Sequence, residues 1–541
     1  MADPLSVSDY HTRSSHRLDG YARGPEALDW SGQPNSFRNF DGAPQMALPL
    51  LKGEHDGITF DQLFQPGSIK PAPMDLATVA TLFELSLGLS AWKVYGPDRW
   101  ALRCNPSSGN LHPTEGYLVA AGISGLTDGV YHYRPDQHQL EQRAAIPFAD
   151  TTSEENEPRL LIGLSSILWR EAWKYGERAF RYCQLDIGHA IAAFSYAAAT
   201  LGWHLHLLDH HSDHDVATLL GLSDAESFSD AEPEVAELLF EITPRKTTEA
   251  IPDHWFELAA QGSWQGCANR IDEHPYGRWP VVEEIASATI KEQRTAIRQA
   301  DQHSEIKPRQ LNSNTIAAVS LIKQRRSAQH FDPRVMMPLQ AFLQLLDATL
   351  PRNGIPPWPE NGSPAATHIL IFVHRVSGLR QGLYALPRSA EGLAIMKGEM
   401  SEQFVWEKVE AAGELPLYLL INADSRNAAR TLSCHQPIAG DSAFAVSMLS
   451  EFDRTIEQDT ANYRQLFIEA GLIGQALYLE AEACGFRGTG IGCYFDPAMH
   501  KTLGFESTTL QSTYHFTVGM PLVDERIETL PPYDHLERST S

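Results

Sequence analysis

Apolar residues recur at helical spacing over Asp75–Leu89, where Leu76, Val79, Leu82, Phe83 and Leu87 share one side. Two short continuous apolar runs follow, Tyr117–Ala121 and Leu160–Ser165, with the length and composition of buried strands. The turn Gly122–Gly129 joins the first of these to Gly129-Val130-Tyr131-His132-Tyr133, which reads as its hairpin partner. A strongly apolar, Ala-rich helix is predicted over Asp186–Leu201, closed by Gly202, a residue suited to a helix C-cap. Later in the chain come a helix at Ile316–Gln324, strands at His368–His374 and Leu417–Ile421, a long helix at Gly471–Cys484 closed by Gly485, and a strand at Tyr514–Val518 that precedes a polar tail. Helices and strands mix without strict βαβ alternation, which predicts an α+β fold rather than a doubly wound sheet.

The pattern repeats. Arg326-Ser327-Ala328-Gln329-His330-Phe331-Asp332 echoes Arg13-Ser14-Ser15-His16-Arg17-Leu18-Asp19. Gly378-Leu379 and Gly382-Leu383-Tyr384 echo Gly125-Leu126 and Gly129-Val130-Tyr131, and Tyr463-Arg464 through Gly485 echoes Phe180-Arg181 through Gly202. The chain is therefore expected to hold two copies of one fold, each long enough to bury its own core. The divisions are an N-terminal arm (1–60), a first domain (61–245), a connector (246–312) and a second domain (313–541). The arm, rich in turn formers and polar residues, is expected to have little core of its own. The connector is dominated by Pro, Trp and Gly up to Trp279 and then by a charged helical stretch, Val282–Gln302.

Charge narrows the partners. A formal net charge of −25 argues against nucleic acid, whose phosphates need a basic face. The cysteines, Cys104, Cys183, Cys267, Cys434, Cys484 and Cys493, form no CxxC pair, so neither a zinc knuckle nor a disulfide framework is suggested. No signal-peptide pattern opens the chain, and no apolar run of about 18 residues is present to span a bilayer. A soluble, reducing, cytoplasmic setting is expected. His204, His206, His210, His211 and His214 crowd one stretch, but their spacing matches no standard zinc pattern, and the interspersed Asp209, Asp213 and Asp215 suit a solvated loop; no metal is expected there.

Four segments carry candidate chemistry. Arg325-Arg326-Ser327 places two guanidinium groups and a hydroxyl at a helix end, a phosphate clamp or, read alone, a solvated basic patch. Arg103-Cys104-Asn105-Pro106-Ser107-Ser108-Gly109-Asn110-Leu111-His112-Pro113 offers fixed polar groups to a planar ligand, though each residue type also suits an ordinary turn. Arg487-Gly488-Thr489-Gly490-Ile491-Gly492-Cys493-Tyr494 alternates glycines, which lets backbone approach a ligand or simply forms a turn; it lacks a dinucleotide fingerprint. Lys174-Tyr175 could act as general acid or base, or begin a surface helix with Glu177 and Arg178. Tyr10, His11, Arg17, Tyr21, Trp30 and Tyr95 either cover a ligand or pack the arm onto the domain.

Together these segments resemble the nitroreductase superfamily, and more closely its azoline-dehydrogenase branch, over residues 103–134, 174–202, 325–332 and 463–521. The resemblance implies a flavoenzyme with FMN in a cleft between two α+β units, here fused as an intramolecular pseudo-dimer. It implies that Arg325, Arg326 and Ser327 hold the phosphate and that Pro106, Ser107, Ser108 and Asn110 reach in from the first copy. Thr489, Gly490, Ile491 and Gly492 would present backbone near flavin N5 and O4. Lys174 and Tyr175 match the branch's proposed acid/base pair, and Arg526 is a secondary phosphate candidate. The expected activity is FMN-dependent hydride transfer on a small-molecule or peptide substrate, with NAD(P)H as a candidate reductant and a further homodimer left open. A non-catalytic flavin-binding scaffold for a peptide-modifying complex is the alternative, and a metallohydrolase built on the histidines a distant third.

The copies differ where this chemistry lies. With Gly125 set on Gly378, Pro106-Ser107-Ser108-Gly109-Asn110 falls on Pro359-Glu360-Asn361-Gly362-Ser363. With Gly202 set on Gly485, Arg487-Gly488-Thr489-Gly490 falls on His204-Leu205-His206-Leu207. One flavin site rather than two is therefore expected, with the Arg13-Ser14 end left unused.

Overall fold

The protein is described from a computed structural model, over residues 5–149, 157–273, 278–295, 309 and 315–536. At its centre lie two helices, Ala179–Thr200 and Tyr463–Ala483, apolar on nearly every side and almost wholly buried. They touch backbone to backbone at Gly188 and Gly471. A Cβ on Gly188 would lie 2.1 Å from the Ile468 carbonyl oxygen, and one on Gly471 would lie 2.3 Å from that of Leu185. These glycines are repeat equivalents, as are Phe180 and Tyr463, whose rings stack at 6.4 Å. Both helices begin earlier than the apolar pattern suggests, because their first turns bury polar residues that have partners: Arg181 Nη1 donates to Asp496 at 2.6 Å and Arg464 to Asp213 at 3.0 Å.

Each copy builds a seven-stranded antiparallel sheet in which six strands follow the same order; the seventh, at the outer edge, comes from the arm in the first copy (Gln45–Ala47) and from within the domain in the second (Glu407–Lys408). The first runs Gln45–Ala47, Gln139–Ala145, Gly129–Arg134, Thr114–Ala121, Arg159–Ser166, Val235–Thr243, His204–Leu207. The second runs Glu407–Lys408, Tyr418–Asn422, Gly382–Leu386, Thr367–Val373, Phe444–Glu451, Leu510–Gly519, Arg487–Ile491. The chain is thus an α+β protein of two tandem copies. Phe444–Glu451 escapes the sequence pattern because it buries polar residues that bond across the sheet: Ser450 to Thr367 and Thr513 at 2.9 Å, Glu451 to His368 at 3.0 Å. The glycine-rich segment, expected as a turn, is the edge strand Arg487–Ile491, with Thr489 opposite Thr517. The corresponding edge of the first sheet is His204–Leu207, as the aligned repeat requires.

Three expectations change. The arm is not coreless: Val7–Arg13 is a helix, Phe40–Asp41 pairs with Cys267–Ala268, and Val7, Tyr10, Phe40 and Leu48 are buried. The connector helix is short, Pro280–Ala288, with the Thr289 hydroxyl turned back on the Ile285 carbonyl at 2.8 Å. Its charged continuation is drawn into ion pairs, Arg294 with Asp215 and Asp253, and residues 296–302 lie outside the described residues. The C-terminal segment, expected as a polar tail, pairs Glu528–Leu530 with Leu89–Tyr95 of the first copy, and Tyr533 Oη accepts from the Leu89 amide at 2.8 Å.

Candidate functional site

Arg103–Pro113 is held rigid from below. The Ser108 amide and hydroxyl both donate to Asp186 at 3.1 Å, Ser107 Oγ accepts from the His112 amide at 2.8 Å, and Asn110 Nδ2 donates to the Ala101 carbonyl at 2.9 Å. Gly109 takes φ +61, and a Cβ there would sit 2.6 Å from the Tyr175 hydroxyl and 3.0 Å from Lys174 Nζ. Lys174 and Tyr175 therefore pack directly against this loop.

The second copy meets it with Arg325 and Arg326, at the end of helix Ala318–Gln324. Arg325 is 3% exposed. Its Nε donates to the Cys104 carbonyl at 3.2 Å and its Nη2 to that of Arg103 at 3.1 Å. Its Nη1, also buried, has no partner among the described residues. Arg326 donates to Ser90 Oγ and O at 3.1 and 3.0 Å, and Ser327 Oγ meets Tyr478 Oη at 2.9 Å. Lys93 and Arg487 border the same space. Burial, and then the Arg325 charge, bring Arg326 down to about 10, and Lys93 is lowered by burial and by Arg326 and Arg487. Crowded cations with an unfilled buried N–H suit a bound anion.

Between the two lies a cavity of about 450 Å³, within the usual range for small-molecule sites, about 300–1,000 Å³. On its floor, a Cβ at Gly490 would lie 1.8 Å from Tyr514 Oη and one at Gly492 2.0 Å from the Tyr182 ring, so only glycine lets these rings close. The Gly490 amide donates to Tyr478 Oη at 2.9 Å and is thus already engaged. Burial outweighs the Ser107 and Ser108 hydrogen bonds at Asp186 and raises it to about 7. Burial also lowers His189 to about 3, leaving a neutral ring between Gln475 and Tyr514 at 3.2 Å each.

Of the expected residues, Pro106, Ser107, Ser108, Asn110, Tyr175, Arg325, Arg326, Ser327, Gly490, Ile491 and Gly492 border the cavity. Lys174 stands behind, its Nζ 5.3 Å from the Trp30 ring. Thr489 turns its hydroxyl to the Ala328 carbonyl at 2.7 Å. Arg526 is outside the cavity, paired with Asp524 at 2.7 Å on the surface and 5.6 Å from the Tyr95 ring. None of Tyr10, His11, Arg17, Tyr21, Trp30 and Tyr95 borders it. Sequence reasoning missed Lys93, Asp186, His189, Tyr478 and Tyr514, and named Arg487 only as part of the glycine-rich segment. Asp186 and His189 left a signal, as a carboxyl and an imidazole within the apolar helix expected over Asp186–Leu201.

The equivalent cleft of the opposite pair of surfaces differs. The leading segments of the copies pair about the pseudo-dyad: the Phe60 amide donates to Ile316 O at 2.9 Å and the Ala318 amide to Ile58 O at 2.8 Å. Counted from that pairing, Gly67-Ser68-Ile69 are the sequence counterparts of Arg325-Arg326-Ser327, and they do not border the equivalent cavity. This corrects the echo with Arg13-Ser14: Arg13 is half-exposed and pairs with Glu177 at 2.6 Å, on another part of the molecule. The equivalent cavity, about 730 Å³, is bordered by Pro359, Gly362 and Ser363, and by Leu207 where the first cavity has Gly490. Beside it His204 faces Glu360 at 3.6 Å, and His206 bonds the Arg245 carbonyl at 3.0 Å.

Comparison with known proteins agrees with this architecture. The model of the nitroreductase family matches residues 70–229 and 322–520. MJ1384 of Methanocaldococcus jannaschii, which bears the nitroreductase name, is 28% identical over 130 residues, 23% of this chain and 65% of that protein. The trifolitoxin-processing protein TfxB of Rhizobium leguminosarum bv. trifolii is 27% identical over 251 residues, 37% of this chain and 64% of that protein. The chain thus spans just under two thirds of the length of each. Among solved structures, a protein of Anabaena variabilis ATCC 29413 described as a nitroreductase has a TM-score of 0.68 at 19% identity, covering 95% of this chain and 99% of that one. At that identity the likeness is one of fold.

Proposed function

This chain belongs to the nitroreductase family, in two tandem copies, and on that premise we propose that it is an FMN-dependent oxidoreductase with a single flavin site. The observation that carries this reading is the buried Arg325 Nη1, unpartnered among the described residues, amid Lys93, Arg326 and Arg487 (itself paired with Glu482), at one end of a cavity of ligand size. These cations and Ser327 would hold the phosphate. Pro106–Asn110 would border the ring system from the first copy, and Gly490–Gly492 from the second. Bound there, FMN supplies a two-electron acceptor at N5 for a hydride. The protein's part is to bind, orient and handle protons: Tyr175 borders the cavity, with Lys174 packed beside the same loop.

The name of TfxB, a trifolitoxin-processing protein, favours the azoline-dehydrogenase reading; the name of MJ1384 favours the reductase reading, in which NAD(P)H would be the donor. Anaerobic mixing of flavin-loaded protein with a thiazoline-containing peptide, and separately with NADPH, divides the readings. Bleaching of the flavin band by the peptide is the expected result. Bleaching by NADPH alone favours the reductase, and no bleaching by either favours a non-catalytic flavin-binding component.

A further inference from the structure

The cavity floor holds a carboxyl whose partners differ from those of its repeat equivalent. Asp186 and Glu469 each stand six residues past the aligned pair Phe180 and Tyr463. Glu469 is neutralised by an ion pair with the buried Arg388. Asp186 is 1% exposed and has no cation within ion-pair distance among the described residues; its partners are the Ser108 amide and hydroxyl. Beside it, on helix Leu168–Tyr175, Glu171 is fully buried with neither carboxyl oxygen hydrogen-bonded among the described residues.

We propose that Asp186, bordering the cavity, is an acid/base of the reaction, and that Glu171 behind it keeps a proton within the pair. This rests on the flavin reading above. The physics follows from the surroundings. The groups facing Asp186 are Glu171 and Tyr175 from the neighbouring helix, Cys183 from its own, Tyr514 from the second sheet, and Ser107 and Ser108 from the loop, none of them cationic. Lys174 and Arg170 act on Glu171, but burial and then the Asp186 charge outweigh them and hold it well above the usual carboxylate range. Arg170 is itself bound to Glu115. Two adjacent carboxyls in such a site do not both ionise near neutral pH.

Oxidation of an H–C–X–H unit breaks two bonds to hydrogen and raises the C–X bond order by one. With FMN bound, one hydrogen would leave with both electrons as a hydride, for which the flavin would be the acceptor; the other leaves as a proton. That proton forms an O–H bond on the Asp186 carboxylate and passes to solvent on turnover. Reduction of a substrate uses the same group in reverse, as donor. Glu171 acts through Asp186 and touches no ligand.

Infrared difference spectra of flavin-free protein between pH 5 and pH 9 test the pair without reference to any cofactor. The carboxylic C=O band should lose components with midpoints near pH 7, the value to which burial raises both Asp186 and Glu237, and the Asp186 step is read as the difference between wild type and Asp186→Asn. Asp186→Asn should abolish that step, and Glu171→Gln should remove the component that survives at pH 9. An unchanged titration in Asp186→Asn overturns the pair. In flavin-loaded protein, the midpoint potential of wild type should bend with pH near the same midpoint, and that of Asp186→Asn should vary linearly through it. Loss of the infrared step without any change in the potential's pH dependence overturns the catalytic role, leaving a structural carboxyl. Failure to bind flavin would count against the flavin reading, while the infrared result stands apart from it.

Discussion

Replacing Arg325 by methionine keeps an unbranched apolar stem and removes the guanidinium with its charge. In the structure this arginine spends Nε and Nη2 on the carbonyls of Cys104 and Arg103, and only Nη1 is left for a ligand. One charge-assisted hydrogen bond to phosphate is worth about 1.5–3 kcal/mol, which converts to a loss of FMN affinity of roughly ten- to a hundredfold. The two abandoned carbonyls would also cost the flavin-free fold on the order of 1–3 kcal/mol each, so stability must be measured separately. The assay is titration of flavin-free protein with FMN and with riboflavin, followed by quenching of flavin fluorescence, alongside thermal unfolding without flavin. Riboflavin lacks the phosphate, so its affinity should change far less than that of FMN. A folded Arg325→Met protein that keeps FMN within twofold of wild type, or that loses riboflavin equally, would refute the phosphate assignment.

The remaining predictions follow from the same geometry. Arg526→Ala should leave FMN affinity unchanged in the same titration, because its guanidinium lies on the surface with Asp524, where an ion pair contributes little. Gly188→Ala should destabilise the protein by about 1–3 kcal/mol or more in thermal unfolding, since its Cβ would enter the backbone of the partner helix. Stability should fall between about pH 4 and pH 7 through Asp186. Its folded pKa is raised to about 7 from 3.8, so the folded form keeps a proton that the unfolded chain releases, and that advantage is lost as pH rises through 7. Asp186→Asn should therefore raise the melting temperature at pH 8 relative to wild type, with a stability gain on the order of 4 kcal/mol at most; an equal shift at pH 4 and pH 8 would contradict the account.

Much of this was legible in the sequence, for definite reasons. Glycines closing the two long helices and the aligned Phe180 and Tyr463 marked the duplication, because a helix end and a helix crossing both restrict residue type. The loop Pro106–Asn110 and the pair Arg325–Arg326 were visible as dense polar chemistry, and the fold does bring them together across the two copies. What stayed hidden was buried polarity. Ser450 and Glu451 look like surface residues until their cross-strand partners are seen. Asp186 and His189 gain meaning only when the floor of the cavity is known. The Arg13 echo failed because local similarity cannot reveal which segments pair about the pseudo-dyad; the hydrogen bonds between Ile58–Phe60 and Ile316–Ala318 do.

The inequality of the two clefts is the centre of the account. One is bordered by Arg325 and Arg326, a serine loop and a glycine floor; the other is bordered by Leu207, Pro359 and Gly362, and its arginines Arg352, Arg388 and Arg454 are ion-paired with Asp347, with Glu469 and with Glu391 and Glu451. Counting flavin released on heat denaturation against polypeptide measured by amino-acid analysis tests this directly, after saturation with FMN and removal of the excess. The account predicts one FMN per chain, falling towards none in Arg325→Met. Two FMN per chain would contradict it.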